Sequence, residues 1–179
     1  MSRIDIRAAR NADIPALRAL IDASVRGLSK GYYSTEQVEA ALVEVFGVDS
    51  QLILDSTYFI AEIDGQLAGS GGWSKRKTLF GGDQSKSDKP DELLDPSVDS
   101  ARIRAFYVHP AWSRRGVGAR LISVCESAAH EAGFHRIELV ATLPGVPLYL
   151  ASGYVIVREA PIEVSGAPSL GAFLMAKDL

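Results

Sequence analysis

A chain of 179 residues with one cysteine and a formal net charge of -3 has the size of a single domain with a core of its own. The weak acidity argues against a nucleic-acid binder, the lone Cys125 excludes an intrachain disulfide and a cysteine metal cluster, and no apolar run reaches the ~20 residues of a membrane span. The 47% apolar content is that of an ordinary globular protein; the single thiol and an N-terminus without an apolar signal core predict a cytoplasmic location.

Arg3 to Ala8 alternates apolar and polar residues, which predicts a first strand. Asp13 and Pro15 then predict a helix start, with Ile14, Leu17, Leu20, Ile21 and Val25 along one face. After a linker carrying Tyr32 and Tyr33, Ser34 or Thr35 caps a second helix with Val38, Leu42, Val45 and Phe46 as its stripe. Thr57 to Ile63 is β-branched and aromatic, and Asp64-Gly65 is a two-residue hairpin signal into a partner strand spanning Gln66 to Phe80. Gly69, Gly71 and Gly72 predict a bulge or a close backbone approach in that strand.

Residues 81–100 break the pattern with six acids, two lysines, Pro90 and Pro96. They read as an acidic loop insertion, either a mobile excursion near a site or a solvated surface segment. The next strand runs from Ala101 to Val108, with Arg102, Arg104, Phe106 and Val108 expected on one face. Two arginines on a central strand need partners or a polar cavity. Acidic-loop residues such as Asp95 and Asp99 would serve as partners, and a carboxylate or phosphate on a substrate would serve equally.

Then comes Val108-His109-Pro110-Ala111-Trp112-Ser113-Arg114-Arg115-Gly116-Val117-Gly118-Ala119, a basic glycine turn opening a helix whose buried stripe is Val117, Leu121, Val124 or Cys125, Ala128 and Ala132. A helix start offers amide groups without intrahelical partners and partial positive charge; glycines let an anion approach them, and Arg114 and Arg115 add full charges. The turn therefore reads as a phosphate or pyrophosphate cradle. A dinucleotide fingerprint would need three glycines after the first strand, and a nucleotide-triphosphate loop would need Gly-Lys-Ser/Thr; neither string is present. Strands over Arg136 to Ala141, Gly153 to Arg158 and Leu170 to Ala176, with a short helix in Pro144 to Ala151, complete the order β-αα-β-β-β-α-β-α-β-β. This order predicts an α/β fold with one mixed sheet of about seven strands flanked by helices.

Arg114-Arg115-Gly116-Val117-Gly118-Ala119 after Phe106-Tyr107-Val108 resembles the central motif of the GNAT superfamily of acyl-CoA-dependent N-acyltransferases. The block Ala141 to Tyr154, with Leu148-Tyr149 and Gly153-Tyr154, resembles that family's later segment. The resemblance covers essentially residues 1–179, read as one N-acetyltransferase domain. It implies acetyl-CoA as co-substrate and no metal. The acceptor would be a small-molecule or peptide amine attacking directly in a ternary complex, and neither nucleic acid nor membrane would be a partner. Homodimers built through the late strands are common in such proteins. It further implies that Ser113, Arg114, Arg115, Gly116, Val117, Gly118 and Ala119 hold the pyrophosphate. Phe106, Tyr107 and Val108 would line the pantetheine arm, Thr142 would touch it, and Tyr149 would be the general acid. Ser113 stands where the family prefers Gln or Arg, and Thr142 where it often has Asn. Arg102, Arg104, Trp73 and Tyr33 are the acceptor-side candidates. A non-catalytic acyl-CoA sensor or scaffold is the alternative function.

Overall fold

The computed structural model describes residues 3–179. Seven strands, β1 (Ile4–Ala8), β2 (Tyr58–Ile63), β3 (Gln66–Ser74), β4 (Ala101–Val108), β5 (Arg136–Thr142), β6 (Val155–Glu159) and β7 (Ala172–Asp178), form one mixed sheet in the order β1-β2-β3-β4-β5-β7-β6. The helices are α1 (Ile14–Leu28), α2 (Thr35–Glu44), α3 (Ser50–Leu54), α4 (Val117–Glu131) and α5 (Val146–Ala151). The short α3 has no counterpart in the sequence reading, because five residues with one buried apolar side chain, Leu52, carry no readable period.

Local chemistry sets the element ends. Ser34 accepts from the Gln37 amide while the Gln37 side chain returns to the Ser34 amide, a reciprocal cap that starts α2. Asp13 makes no such cap on α1; its carboxylate instead takes the Arg10 amide and the Arg7 guanidinium. Asp64 and Gly65 both have left-handed backbone, φ 51° and 74°, as a tight hairpin turn between β2 and β3 requires.

Two faces of the sheet are covered. On one, α4 lays Ile122, Cys125 and Ala129 against Ile103, Ile137, Leu139 and Met175, and Val117 and Leu121 against Ala61, Ile63 and Ala68. On the other, α1, α2 and α3 cover Tyr58 and Ile60 with Leu17, Leu20, Ile21 and Leu52, and α2 with residues 162–172 closes the sheet end near β5 and β7. The α4 stripe drifts to Ala129, and Ala132 is exposed.

The acidic segment corrects the expectation of a loose excursion. β3 stops at Ser74, and residues 75–100 are fastened to the body at several points. The Gly82 amide donates to Val45 O at 2.7 Å, Asp83 to Val48 O at 2.9 Å and Leu94 to Lys75 O at 2.8 Å, while the Leu94 side chain enters the core. In the basic stretch just before residues 81–100, Arg76 forks onto Asp55 at 2.7 and 2.9 Å, and Lys77 pairs with Glu92.

Candidate active site

The site begins where two parallel strands part. β4 and β5 pair only at Ala101↔Ile137 and Arg102↔Glu138; beyond those positions their facing edges carry no ladder contacts among the described residues. The cause lies in β4. Gly72 pairs with Arg104 and Ser70 with Tyr107, so Ala105 and Phe106 oppose the single residue Gly71. Ala105 takes φ 51°, a left-handed backbone. The Phe106 ring fills the space above Gly71, where an added Cβ would lie 2.3 Å from it. This bulge also resets side-chain direction. Ile103, Phe106 and Val108 pack on the α4 face, and Ala105 and Tyr107 on the α1 face. A plain alternation along β4, with the arginines, Phe106 and Val108 on one face, therefore fails at Ala105.

β4 runs into the glycine turn through His109 and a single 3-10 turn over Pro110–Trp112. Arg114 has φ 61° and Gly116 φ 85°, two left-handed reversals that turn successive amides toward one concavity. The amides of residues 114–119 make no internal hydrogen bond among the described residues; the first closed turn is Arg120 N to Gly116 O at 3.0 Å. Nothing lies within 4 Å of a Cβ built on Gly116, so the space before α4 is open. Arg114 and Arg115 are exposed, with the Arg115 guanidinium 5.0 Å above the Trp112 ring. The Ser113 hydroxyl is spent on Pro110 O at 2.9 Å, so this residue shapes the turn.

Glycines also bring the later block onto the cradle. A Cβ on Gly118 would lie 2.7 Å from Leu148, and one on Gly69 would lie 2.8 Å from Val117, so α4 sits close to both α5 and β3. Tyr149, next to Leu148, packs its ring edge-on to Phe106 at 6.0 Å and to Tyr154 at 5.6 Å. Free amides, bulge and phenol thus meet at one end of the gap. Tyr149 is 6% exposed, and its burial raises the phenol well above its ordinary range, so it keeps its proton at neutral pH. Thr142 ends β5 opposite Ala172 and starts the turn that leads to α5.

The acceptor-side candidates are placed differently. Trp73 pairs with Ile103 deep in the sheet, is 5% exposed and packs edge-on to Phe134, so it is a core residue. Arg102 is paired with Glu138 and donates to Ser100 O. Arg104 is enclosed by Asp49 and Asp91, with no surface left for an acceptor. The expected partners Asp95 and Asp99 instead bond within their own loop. Tyr33 donates to Gly171 O at 2.6 Å and accepts from Leu143 N at 2.8 Å, which joins the α1–α2 linker to the ends of β5 and β7. The titratable side chains at strand ends are likewise engaged: Glu62 by Arg7, Glu138 by Arg102, and His109 Nδ1 by the Ala111 amide. Sequence reasoning missed Asp49, whose only signal was an acid in an otherwise apolar stretch ahead of α3.

The sequence profile described as the acetyltransferase (GNAT) family matches residues 25–154, well over half of the chain. The chain belongs to the GNAT acetyltransferase family. Solved structures share this GNAT fold along its whole length. A GCN5-related N-acetyltransferase from Rhodopseudomonas palustris is similar at 24% identity, covering 100% of this chain and 98% of that one with a TM-score of 0.73. YncA from Salmonella typhimurium, solved with its cofactor acetyl-CoA, is 18% identical, covering 99% and 95% with a TM-score of 0.65. PaiA N-acetyltransferase from Thermoplasma acidophilum, solved in complex with coenzyme A, is 16% identical, covering 99% of both chains with a TM-score of 0.64. No curated protein matches the sequence significantly. Among the described residues no helix is long and apolar enough to cross a membrane, and no group of side chains is arranged to hold a metal ion.

Proposed function

We propose that residues 1–179 work as one acetyl-CoA-dependent N-acetyltransferase domain that acylates a primary amine of a small molecule or peptide by direct attack in a ternary complex. What carries the reading is the run of amides 114–119, without internal acceptors and flanked by Arg114 and Arg115, opening onto the β4–β5 gap beside Tyr149. That set of donors fits a pyrophosphate. In this reading Arg114 to Ala119 hold the pyrophosphate, with Ser113 shaping the turn behind them. The unpaired edge of β4 at Phe106, Tyr107 and Val108 offers peptide groups to the amides of the pantetheine arm, and Thr142 borders the same gap from β5. Relatives solved with acetyl-CoA and with coenzyme A support the choice of donor.

The donor supplies a thioester carbonyl. The amine nitrogen forms a bond to that carbon, the carbon–sulfur bond breaks, the amine proton leaves to water and the sulfur takes a proton. In this reading Tyr149 supplies that last proton: burial keeps its phenol protonated, and its ring packs against Phe106 at the gap. Glu62 and Glu138 are held by arginines and His109 by the Ala111 amide, so the reading leaves amine deprotonation to solvent. The buried lone thiol suits a reducing cytoplasmic setting, and Cys125 takes no part in the chemistry because burial raises its pKa far above neutral.

The experiment is release of free thiol from acetyl-CoA against a panel of primary amines, beside calorimetric titration with coenzyme A. Turnover on at least one amine is expected. Saturable binding with no turnover on any of them would favour a non-catalytic acyl-CoA sensor, and failure to bind coenzyme A would remove both readings.

A further inference from the structure

Arg104, buried on the central strand β4, sits one residue before the bulge. The Arg104 guanidinium donates to Asp91 Oδ2 at 3.1 Å and to Ser74 Oγ at 3.3 Å, and pairs with the Asp49 carboxylate. Both Arg104 and Asp49 side chains are 0% exposed, and Asp91 is 13% exposed. Asp49 is also held by Lys86, which reaches on to Asp83 at 3.2 Å; Asp83 in turn accepts from the Ser50 amide at the start of α3. The second Asp91 oxygen accepts from the Thr78 amide at 2.9 Å. Arg104 therefore ties together four pieces of chain: β4, β3, the entry to α3 and the acidic segment.

Stability alone gives a weak reason for such a cluster. Burying charges costs desolvation, and an apolar set of similar volume often serves a fold as well. Position gives a better one. The next residue, Ala105, has the left-handed backbone that a β-carbon disfavours, and the residue after it, Phe106, wedges against Gly71 and Tyr149. Such a bulge persists only if both sides are fixed. Phe106 fixes one side, and the charge cluster fixes the other.

We propose that the Arg104–Asp49–Asp91 clasp is a positioning device that holds the β4 bulge and so keeps the β4–β5 gap open for the acyl donor. The acidic segment, remote from the cradle, thereby acts on the reaction through Asp91. Arg104 is a positioning residue, and neither it nor Asp91 touches substrate. The inference builds on the acetyl-transfer reading, and its first measurement does not depend on that reading.

The test uses Asp91→Asn, which removes charge at the outer side of the clasp, and Arg104→Lys, which keeps charge and loses the fork. Hydrogen exchange is followed at amides 103–108, with amides 121–130 of α4 as internal control, and acetyl-CoA KM and kcat are measured beside it. Expected are faster exchange at 103–108 by about tenfold or more with α4 unchanged, and a fall of about 10- to 100-fold in kcat/KM for acetyl-CoA. The conservative Asp91→Glu should recover most of both. Variants that melt earlier yet keep wild-type exchange in β4 and wild-type kinetic constants would overturn the proposal. If the wild-type protein acetylates no amine, the functional reading falls, and β4 exchange with coenzyme A affinity still decides the clasp.

Discussion

The two ends of β4 handle charge in opposite ways. At the start of the strand, Arg102 and Arg104 are enclosed by carboxylates, Glu138 for the first and Asp49 with Asp91 for the second. Beyond its end, Arg114 and Arg115 reach solvent, and the six amides 114–119 make no hydrogen bond among the described residues. The same residue type thus builds structure at one end and flanks the proposed binding site at the other. A guanidinium with every partner inside the chain fixes geometry. One without a carboxylate partner among the described residues, beside unpaired amides, is available to an anion.

The sharpest way to break this contrast is at the cradle. Gly116→Val forces a β-branched side chain into φ 85°, where glycine alone is unstrained, and should weaken coenzyme A binding by about 100-fold or more through displaced amides. Titration calorimetry reads this directly, with circular dichroism to show that the fold persists. Next comes chemistry without loss of binding. Tyr149→Phe should lower kcat by roughly 10²–10⁴-fold and leave coenzyme A affinity near wild type. Because burial raises the phenol's pKa, the wild-type rate should show no alkaline fall due to Tyr149 up to about pH 10, the ordinary phenol value. A rate-against-pH profile of the two proteins checks both statements.

Removing Arg114 and Arg115 together should weaken coenzyme A binding by about tenfold per side chain and flatten its dependence on salt. Substituting the enclosed arginines should leave that salt dependence as it is. The smallest effect belongs to the acidic segment's outer anchor. The Arg76 fork holds the Asp55 carboxyl below its ordinary range against the opposing effect of burial. For Asp91, desolvation pushes upward, but the Thr78 and Arg104 hydrogen bonds outweigh it and the net shift is again downward. Lowered carboxylate values mean that these pairs stabilise the fold above about pH 4 and release that stability as pH falls through the depressed values. Asp55→Asn should cost about 1–3 kcal/mol at pH 7 and nothing at a pH below both values, as denaturant melts at several pH values would show.

Much of the fold was legible because its signals are local. β4 has the bounds that its residues predicted, and the Asp64-Gly65 hairpin turn and the Ser34 cap follow from side-chain and backbone preferences a few residues long. The glycine turn was legible for the same reason. The glycines of β3 signalled a bulge or close approach, and Gly71 provides it; that the extra residue lies on β4, at Ala105, was hidden, because it depends on Gly71 meeting Phe106, a contact between residues far apart in the chain. That one slip reversed the face assigned to Phe106. The fate of Arg104 was hidden likewise, since Asp49 lies far upstream and Asp91 sits in a segment whose composition suggested looseness. Composition gave the charges of residues 81–100 and said nothing of their anchors in α2, α3 and β4.

In the proposed function the donor lies along the open edge of β4 with its pyrophosphate on the amides beyond it. Titrating ¹⁵N-labelled protein with acetyl-CoA and following amide resonances tests this residue by residue. The predicted result is saturable shifts largest at 114–119 and 105–108, with the amides of β1 and of residues 81–100 left in place. Saturable shifts that leave 114–119 unmoved, or that centre on any other surface, would contradict it.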